Sequence, residues 1–229
     1  MINAKNITKK FKSGAGEITA LSGVDFVVKK GEFVSITGRS GSGKSTLLYQ
    51  LSLLDHPSEG SLEVDGVDVM KLSSEERTEF RLHELGYVFQ DYAVLPALTA
   101  LENVMLPLLM QGKSDNYAKE KSEIALIKVG LGDRMQNYPA QLSGGQQQRV
   151  AIARAIAHTP KIIFADEPTA NLDSETSQTV LDTFLDLHRE GQTIVMVTHE
   201  PEYAALTDRT IVLSDGKITE DVRNTKKRP

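Results

Sequence analysis

Apolar residues fall into two kinds of run that alternate along the chain. Short continuous runs at Phe33–Thr37, 162–165 and Thr193–Val197 have the length and β-branched content of buried strands. Residues 61–64, 85–89 and 211–214 add shorter strands, and residues 18–28 carry apolar positions up to a turn at Lys29-Lys30-Gly31. Asp65-Gly66 and Asp215-Gly216 are turn signals, the second opening a final hairpin. Helical spacing marks residues 45–54, 101–110 and 117–129, a segment that Ser143 caps and that runs to about Ala157, and residues 174–190. In the last of these Val180, Leu181, Phe184, Leu185 and Leu187 share one side.

Strands that alternate with helices predict an α/β fold with a mainly parallel sheet covered on both faces. Residues 91–140 break the alternation and are rich in helix formers. They read as a helical lobe inserted into a core made of 1–90 and 141–229, with Tyr138-Pro139-Ala140 as the return point. At 229 residues the chain suits one domain of this kind.

Composition narrows the function classes. A net charge of −5 disfavours general nucleic-acid binding, and Lys226-Lys227-Arg228 reads as a loose tail rather than a binding patch. With no cysteine there is no disulfide framework or thiolate metal site, which fits a reducing cytoplasm. The N-terminus lacks the apolar run of a signal peptide, and the apolar stretch 104–110 is broken by Pro107 and far short of the ~20 residues that span a bilayer. A membrane role is therefore expected through a partner.

The chemistry begins at Gly38-Arg39-Ser40-Gly41-Ser42-Gly43-Lys44-Ser45, which fits G-x-x-x-x-G-K-[ST] between a strand and a helix. Glycines let the backbone wrap closely, so amides from Gly41 to Thr46 can face phosphate oxygens at a helix N-terminus. Lys44 can bridge β and γ phosphates, and Ser45 can ligate Mg²⁺. An apolar strand at 162–165 ends in Asp166-Glu167, one carboxylate for a magnesium shell and one to polarise an attacking water. Alone, that pair could be a solvated acidic turn. Leu142-Ser143-Gly144-Gly145-Gln146 offers a second anion-binding helix start. One nucleotide does not need two cradles on one protomer, so the second is expected to serve a nucleotide held by another copy.

With that pentapeptide the sequence resembles the ATP-binding cassette family, from Phe11 to the Gly216 hairpin. The resemblance implies a P-loop NTPase core, an N-terminal antiparallel β part and the helical subdomain. It implies that Phe11 stacks on adenine, with the hydroxyl of the usual Tyr missing; Phe11 could also be an ordinary strand aromatic. It implies that Gln90 senses Mg²⁺ and the attacking water, that Ala170-Asn171-Leu172-Asp173 crosses a dimer interface, and that His199 contacts the γ-phosphate. Asp173 could instead be a plain cap for the helix that starts at Ser174. The implied activity is hydrolysis of MgATP by a head-to-tail homodimer, on the cytoplasmic face of a membrane and bound to a separate integral membrane subunit. Residues 141–157 and Thr99-Ala100-Leu101-Glu102-Asn103-Val104 carry a finer likeness to lipoprotein-release, macrolide-export and cell-division cassettes. Export or extraction is the expected output, with force transmission of the cell-division type as the alternative. A P-loop kinase would leave the Leu142–Gln146 segment unexplained.

Overall fold

The computed structural model describes residues 1–14 and 16–225. The basic run Lys226-Lys227-Arg228 lies outside them. The chain forms two compact units: one runs Met1–Thr78 and resumes at Gly191, and the other is Glu79–Glu190.

The first unit holds an antiparallel sheet of order β2-β1-β4-β5, from β1 (Ile2–Ser13), β2 (Gly16–Val28), β4 (Glu59–Val64) and β5 (Val67–Asp68). Ile2 lies opposite Val28 on one side and Val64 on the other, and Ile2, Ala4, Leu21, Phe26, Leu62 and Val64 are buried. β1 is irregular: its register shifts between Ala4 and Lys10, and Asn6 takes φ 53°. The same unit carries β3 (Phe33–Thr37) between β8 (Thr193–Val197) and β9 (Arg209–Ser214), parallel to both. Every residue of β8 and all but the last of β3 are buried, as expected for parallel strands covered on both faces. β10 (Lys217–Arg223) folds back on β9 through Asp215 (φ 47°) and Gly216 (φ 72°), and Asp65 (φ 51°) with Gly66 (φ 83°) turns β4 into β5. Both positive φ values in each pair match the twist of hairpin strands. α1 (Lys44–Leu51) stops short of residue 54 because Leu53 adopts φ 61°, a left-handed conformation that ends helices. α7 (Pro201–Ala204) completes this unit.

In the second unit β6 (Leu85–Val88) and β7 (Ile162–Asp166) pair in parallel, with Val88 opposite Ala165. α5 (Gly144–Ile156) packs on β6 and on α3 (Ala100–Met110), α4 (Asp115–Lys128) and α6 (Ser174–Arg189). It crosses β6 so closely that a Cβ on Gly86 would lie 2.4 Å from the Ala155 carbonyl oxygen. Local chemistry sets the helix starts: Thr99 and Glu102 form a reciprocal capping box on α3, and Ser114 and Asp173 cap α4 and α6. Asn103 is fully buried, accepting from the Leu95 amide and donating to the Leu95, Leu98 and Thr99 carbonyls, so it ties residues 95–99 to α3. α2 (Ser74–Glu84), which precedes β6, buries no residue and shows no apolar stripe to read; Ser73 and Glu76 cap its start. No helix among the described residues is long and apolar enough to cross a membrane.

His158, just past α5, has Nε2 3.1 Å from the Leu85 carbonyl oxygen, while its Nδ1 is buried without a hydrogen-bond partner. Burial pushes the imidazole below its ordinary value, against the opposing pull of the Leu85 carbonyl. The unfolded chain takes up this proton near pH 6.5 and the folded chain only at lower pH, so stability falls as pH drops below about 6.5. His158→Gln should flatten the loss of melting temperature between about pH 7.5 and 5.5 relative to the parent. An identical loss in both proteins would show that His158 does not titrate this way.

Candidate active site

In the first unit β3 delivers the chain to Gly38. Three glycines of the loop that follows answer three different demands. Gly38 (φ 146°) passes under β9: a Cβ there would lie 2.1 Å from the Leu213 carbonyl oxygen. Gly43 (φ 102°), the N-cap of α1, would collide with the Ala20 carbonyl oxygen at 2.7 Å. Gly41 (φ 77°) has open space around it, so its constraint is the backbone itself. Arg39, Ser40 and Gly41 are exposed, while Ser45 and Thr46 are half-buried. Lys44 is buried, and its Nζ donates to the Arg39 carbonyl at 3.2 Å, drawn across the loop. No side chain caps α1 at Gly43, and Ser42 Oγ is buried with no hydrogen-bond partner. A buried, unsatisfied hydroxyl beside an uncapped helix start is what an anion would complete.

His199 belongs to the same place. Ile36 of β3 lies opposite Val197 of β8, and the Thr198 amide donates to the Ile36 carbonyl at 3.1 Å, so both strands release their loops side by side. His199 Nε2 is 3.2 Å from Glu200 Oε1. Phe11, on β1, is 44 % exposed, as a stacking aromatic must be. Lys9 Nζ stands 5.2 Å from its ring centroid. The Lys9 ammonium is anchored by Asp55 Oδ2 at 2.7 Å and the His56 carbonyl at 2.8 Å. Burial alone would raise the Asp55 carboxyl, but the bonds from Lys9, the His56 amide and Gln50 bring it below its ordinary value.

The second unit groups the carboxylates with Gln90. β7 carries Asp166, 5 % exposed, to its carboxyl end, and Glu167 follows with φ 43°, a left-handed conformation rare for a glutamate. The register of β6 on β7 brings Phe89 and Gln90 out beside that end. Three side chains then pin the strand exit. Gln148 Nε2 donates to the Phe89 carbonyl and Asn171 Nδ2 to the Gln90 carbonyl, each at 3.4 Å. Arg154 donates to the Tyr92 and Ala93 carbonyls, of two consecutive left-handed residues (φ 59° and 51°). Burial lowers the Arg154 guanidinium from its ordinary value.

Ser143 starts α5 with a capping box: its Oγ accepts from the Gln146 amide at 3.3 Å, and Gln146 Oε1 accepts from the Ser143 amide at 2.9 Å. The Gln146 amide and side-chain oxygen are thus engaged within the turn. The donors left for an anion are the Ser143 hydroxyl proton and the Gly144 and Gly145 amides. Asp173 is the cap of α6, accepting from the Thr176 amide at 2.9 Å and its hydroxyl at 2.8 Å. Those bonds, the amide first, hold its carboxyl below the ordinary range.

The structure thus places His199 with the 38–46 loop, and Gln90 with Asp166 and Glu167. Reading by motif missed Lys9, Gln148, Arg154 and Thr176. Lys9, Gln148 and Arg154 act on residues distant in sequence or on backbone carbonyls, whereas Thr176 bonds to the Asp173 carboxylate three residues before it.

A phosphate loop, a strand ending in two carboxylates and a Ser-Gly-Gly helix start define an ATP-binding cassette. The model of the ABC transporter family matches residues 21–170, and the chain belongs to that family, as an ABC-type ATP hydrolase. It is 50 % identical over 222 residues to the lipoprotein-releasing system ATP-binding protein LolD of Aquifex aeolicus, covering 97 % of each chain. It is 43 % identical to the macrolide export ATP-binding/permease protein MacB of Chlorobaculum tepidum, with 96 % of this chain matching 34 % of that protein. A chain of the solved dimeric structure of the ATP-binding cassette MJ0796 bound to ADP and Pi superposes at a TM-score of 0.91, with 42 % identity, over 99 % of this chain and 100 % of that one.

The glycine environments separate fold from binding. Gly38→Ala meets a backbone oxygen and should lose about 3 kcal/mol or more of stability. Gly41→Ala meets only open space, should cost about 1 kcal/mol, and should lose nucleotide affinity out of proportion to that. Thermal melts alongside titration with a fluorescent nucleotide check this, and equal melting temperatures for the two variants would refute the assignment.

Proposed function

We propose that this chain hydrolyses MgATP as a head-to-tail homodimer and so drives a separate integral membrane subunit that exports or extracts a lipophilic, lipoprotein or peptide-like cargo. The observation that carries the reading is that one chain has two anion-ready helix starts, at Gly43 and Ser143, each built from its own local sequence. The dimeric cassette bound to ADP and Pi, and the lipoprotein-releasing and macrolide-export relatives, support it. Those two relatives favour export over force transmission. Attachment is peripheral, on the cytoplasmic face.

In this mechanism amides of residues 38–46 and Lys44 hold the β and γ phosphates, and Phe11 stacks on adenine. Ser143, Gly144, Gly145, the Gln146 turn and Asp173 act on the nucleotide held by the other protomer. The Ser45 hydroxyl of the first unit, and the Gln90 amide and Asp166 carboxylate of the second, each offer magnesium an oxygen donor. Among the described residues no group of three or more His, Cys, Asp or Glu side chains could enclose a metal alone. Singly placed oxygen donors suit an ion shared with phosphates, which would neutralise charge on their oxygens when bound. Glu167 orients water and takes its proton as the water oxygen attacks the γ phosphorus. The bond from that phosphorus to the β–γ bridging oxygen breaks, giving ADP and inorganic phosphate, while His199 steadies the γ-phosphate. We assign residues 91–140 as the lobe that passes closure to the membrane subunit.

Glu167→Gln should bind ATP and trap the closed state. Its molar mass in solution should rise from that of one 25.1 kDa chain to twice that value on adding MgATP, and Lys44→Ala in the same background should abolish the rise. A monomer at saturating MgATP would remove the homodimer from the proposal.

A further inference from the structure

The two glycines after Ser143 are each faced by a side chain from elsewhere in the second unit. A Cβ on Gly144 would lie 2.8 Å from the Tyr92 hydroxyl oxygen, and one on Gly145 only 1.9 Å from Thr176 Cγ2. Gly145 lies in the first turn of α5 and has no positive φ, so its backbone does not demand glycine. The neighbour does: the Thr176 methyl occupies the space a side chain would take. Thr176 is in turn held in one rotamer. Its hydroxyl donates to Asp173 Oδ2 and its amide to Asp173 Oδ1. With χ1 of a β-branched residue fixed in this way, the methyl has one place to go.

We infer that Thr176 is a positioning residue for the Ser143–Gln146 cradle, locked by Asp173 so that its methyl fixes the first turn of α5. The chain of contact is short and physical. The Asp173 carboxylate fixes the Thr176 hydroxyl, the hydroxyl fixes the methyl, and the methyl abuts Gly145, whose amide is one of the donors the cradle has left. Anything that engages the Asp173 carboxylate, such as a second protomer closing on the 170–173 loop, competes with the Thr176 hydroxyl for it and is felt at the cradle. The inference rests on the proposed reading that this cradle serves the other protomer's nucleotide.

Two near-isosteric variants separate the parts. Thr176→Val keeps the branched shape and loses the lock; Thr176→Ser keeps the hydroxyl and loses the methyl. In nucleotide-free protein, exchange of the Gln146 amide, which the Ser143 hydroxyl holds, should quicken about tenfold in both, with later turns of α5 unchanged. In the Glu167→Gln background, both should need about tenfold more MgATP to dimerise, while monomer affinity for nucleotide, set by residues 38–46, stays the same. Unaltered exchange at the Gln146 amide would overturn the positioning role whatever the dimer does. Faster exchange with unaltered dimerisation would overturn its link to nucleotide engagement. Failure of the Glu167→Gln parent itself to dimerise would instead count against the proposed function.

Discussion

Burial of a parallel strand on both faces leaves no room for charge along its length, so polar chemistry is confined to the ends. β3, β7 and β8 obey this: their side chains are almost wholly buried. The glycine loop and the charged residues begin where each strand stops, at Gly38, Asp166 and His199. Desolvation that would be costly in mid-strand becomes useful there, because a carboxylate or ammonium at a dry strand end acts in a weakly screened setting. The glycine loop, the caps and the pinned strand exits are ways of holding backbone in that narrow space without burying an unsatisfied amide.

Much of this was legible in the sequence, for a definite reason. The phosphate loop, the Asp166-Glu167 strand end and the Ser143 cap are local, and each residue type follows from the job its neighbours leave to it. The helix starts at Ser143 and Asp173 and the Asp65-Gly66 and Asp215-Gly216 turns were readable on the same ground. The alternative weighed for Asp173, that of a helix cap, is what its side chain does here, and it leaves oxygen lone pairs for a second task. What escaped was either non-local or unpatterned. α2 has no apolar face to give it away, and the irregular register of β1 hides its period of two. Lys9 takes its meaning from Asp55, far along the chain. That a side chain at Gly145 would meet the Thr176 methyl shows only once α5 and α6 are packed together.

The segment that leaves β6 shows how several weak interactions make a stiff root. Gln148, Arg154 and Asn171 each donate to its carbonyls, and Asn103 gathers the loop a few residues later. Arg154 is the unusual member, a half-buried cation whose described hydrogen bonds go to two peptide oxygens. Carbonyl dipoles from consecutive left-handed residues converge on it, so loop conformation and cation stabilise each other.

The left-handed backbone of Glu167 has a consequence for how this protein could be altered. Glycine or asparagine would sit at φ 43° more comfortably, and a glutamate there costs of order 1 kcal/mol. A search for thermostable variants that scores stability alone would therefore choose this position early and exchange the carboxylate away. With the role proposed for Glu167, selection for robustness and selection for turnover pull in opposite directions at one backbone angle, and a library meant to harden the scaffold should hold residue 167 constant.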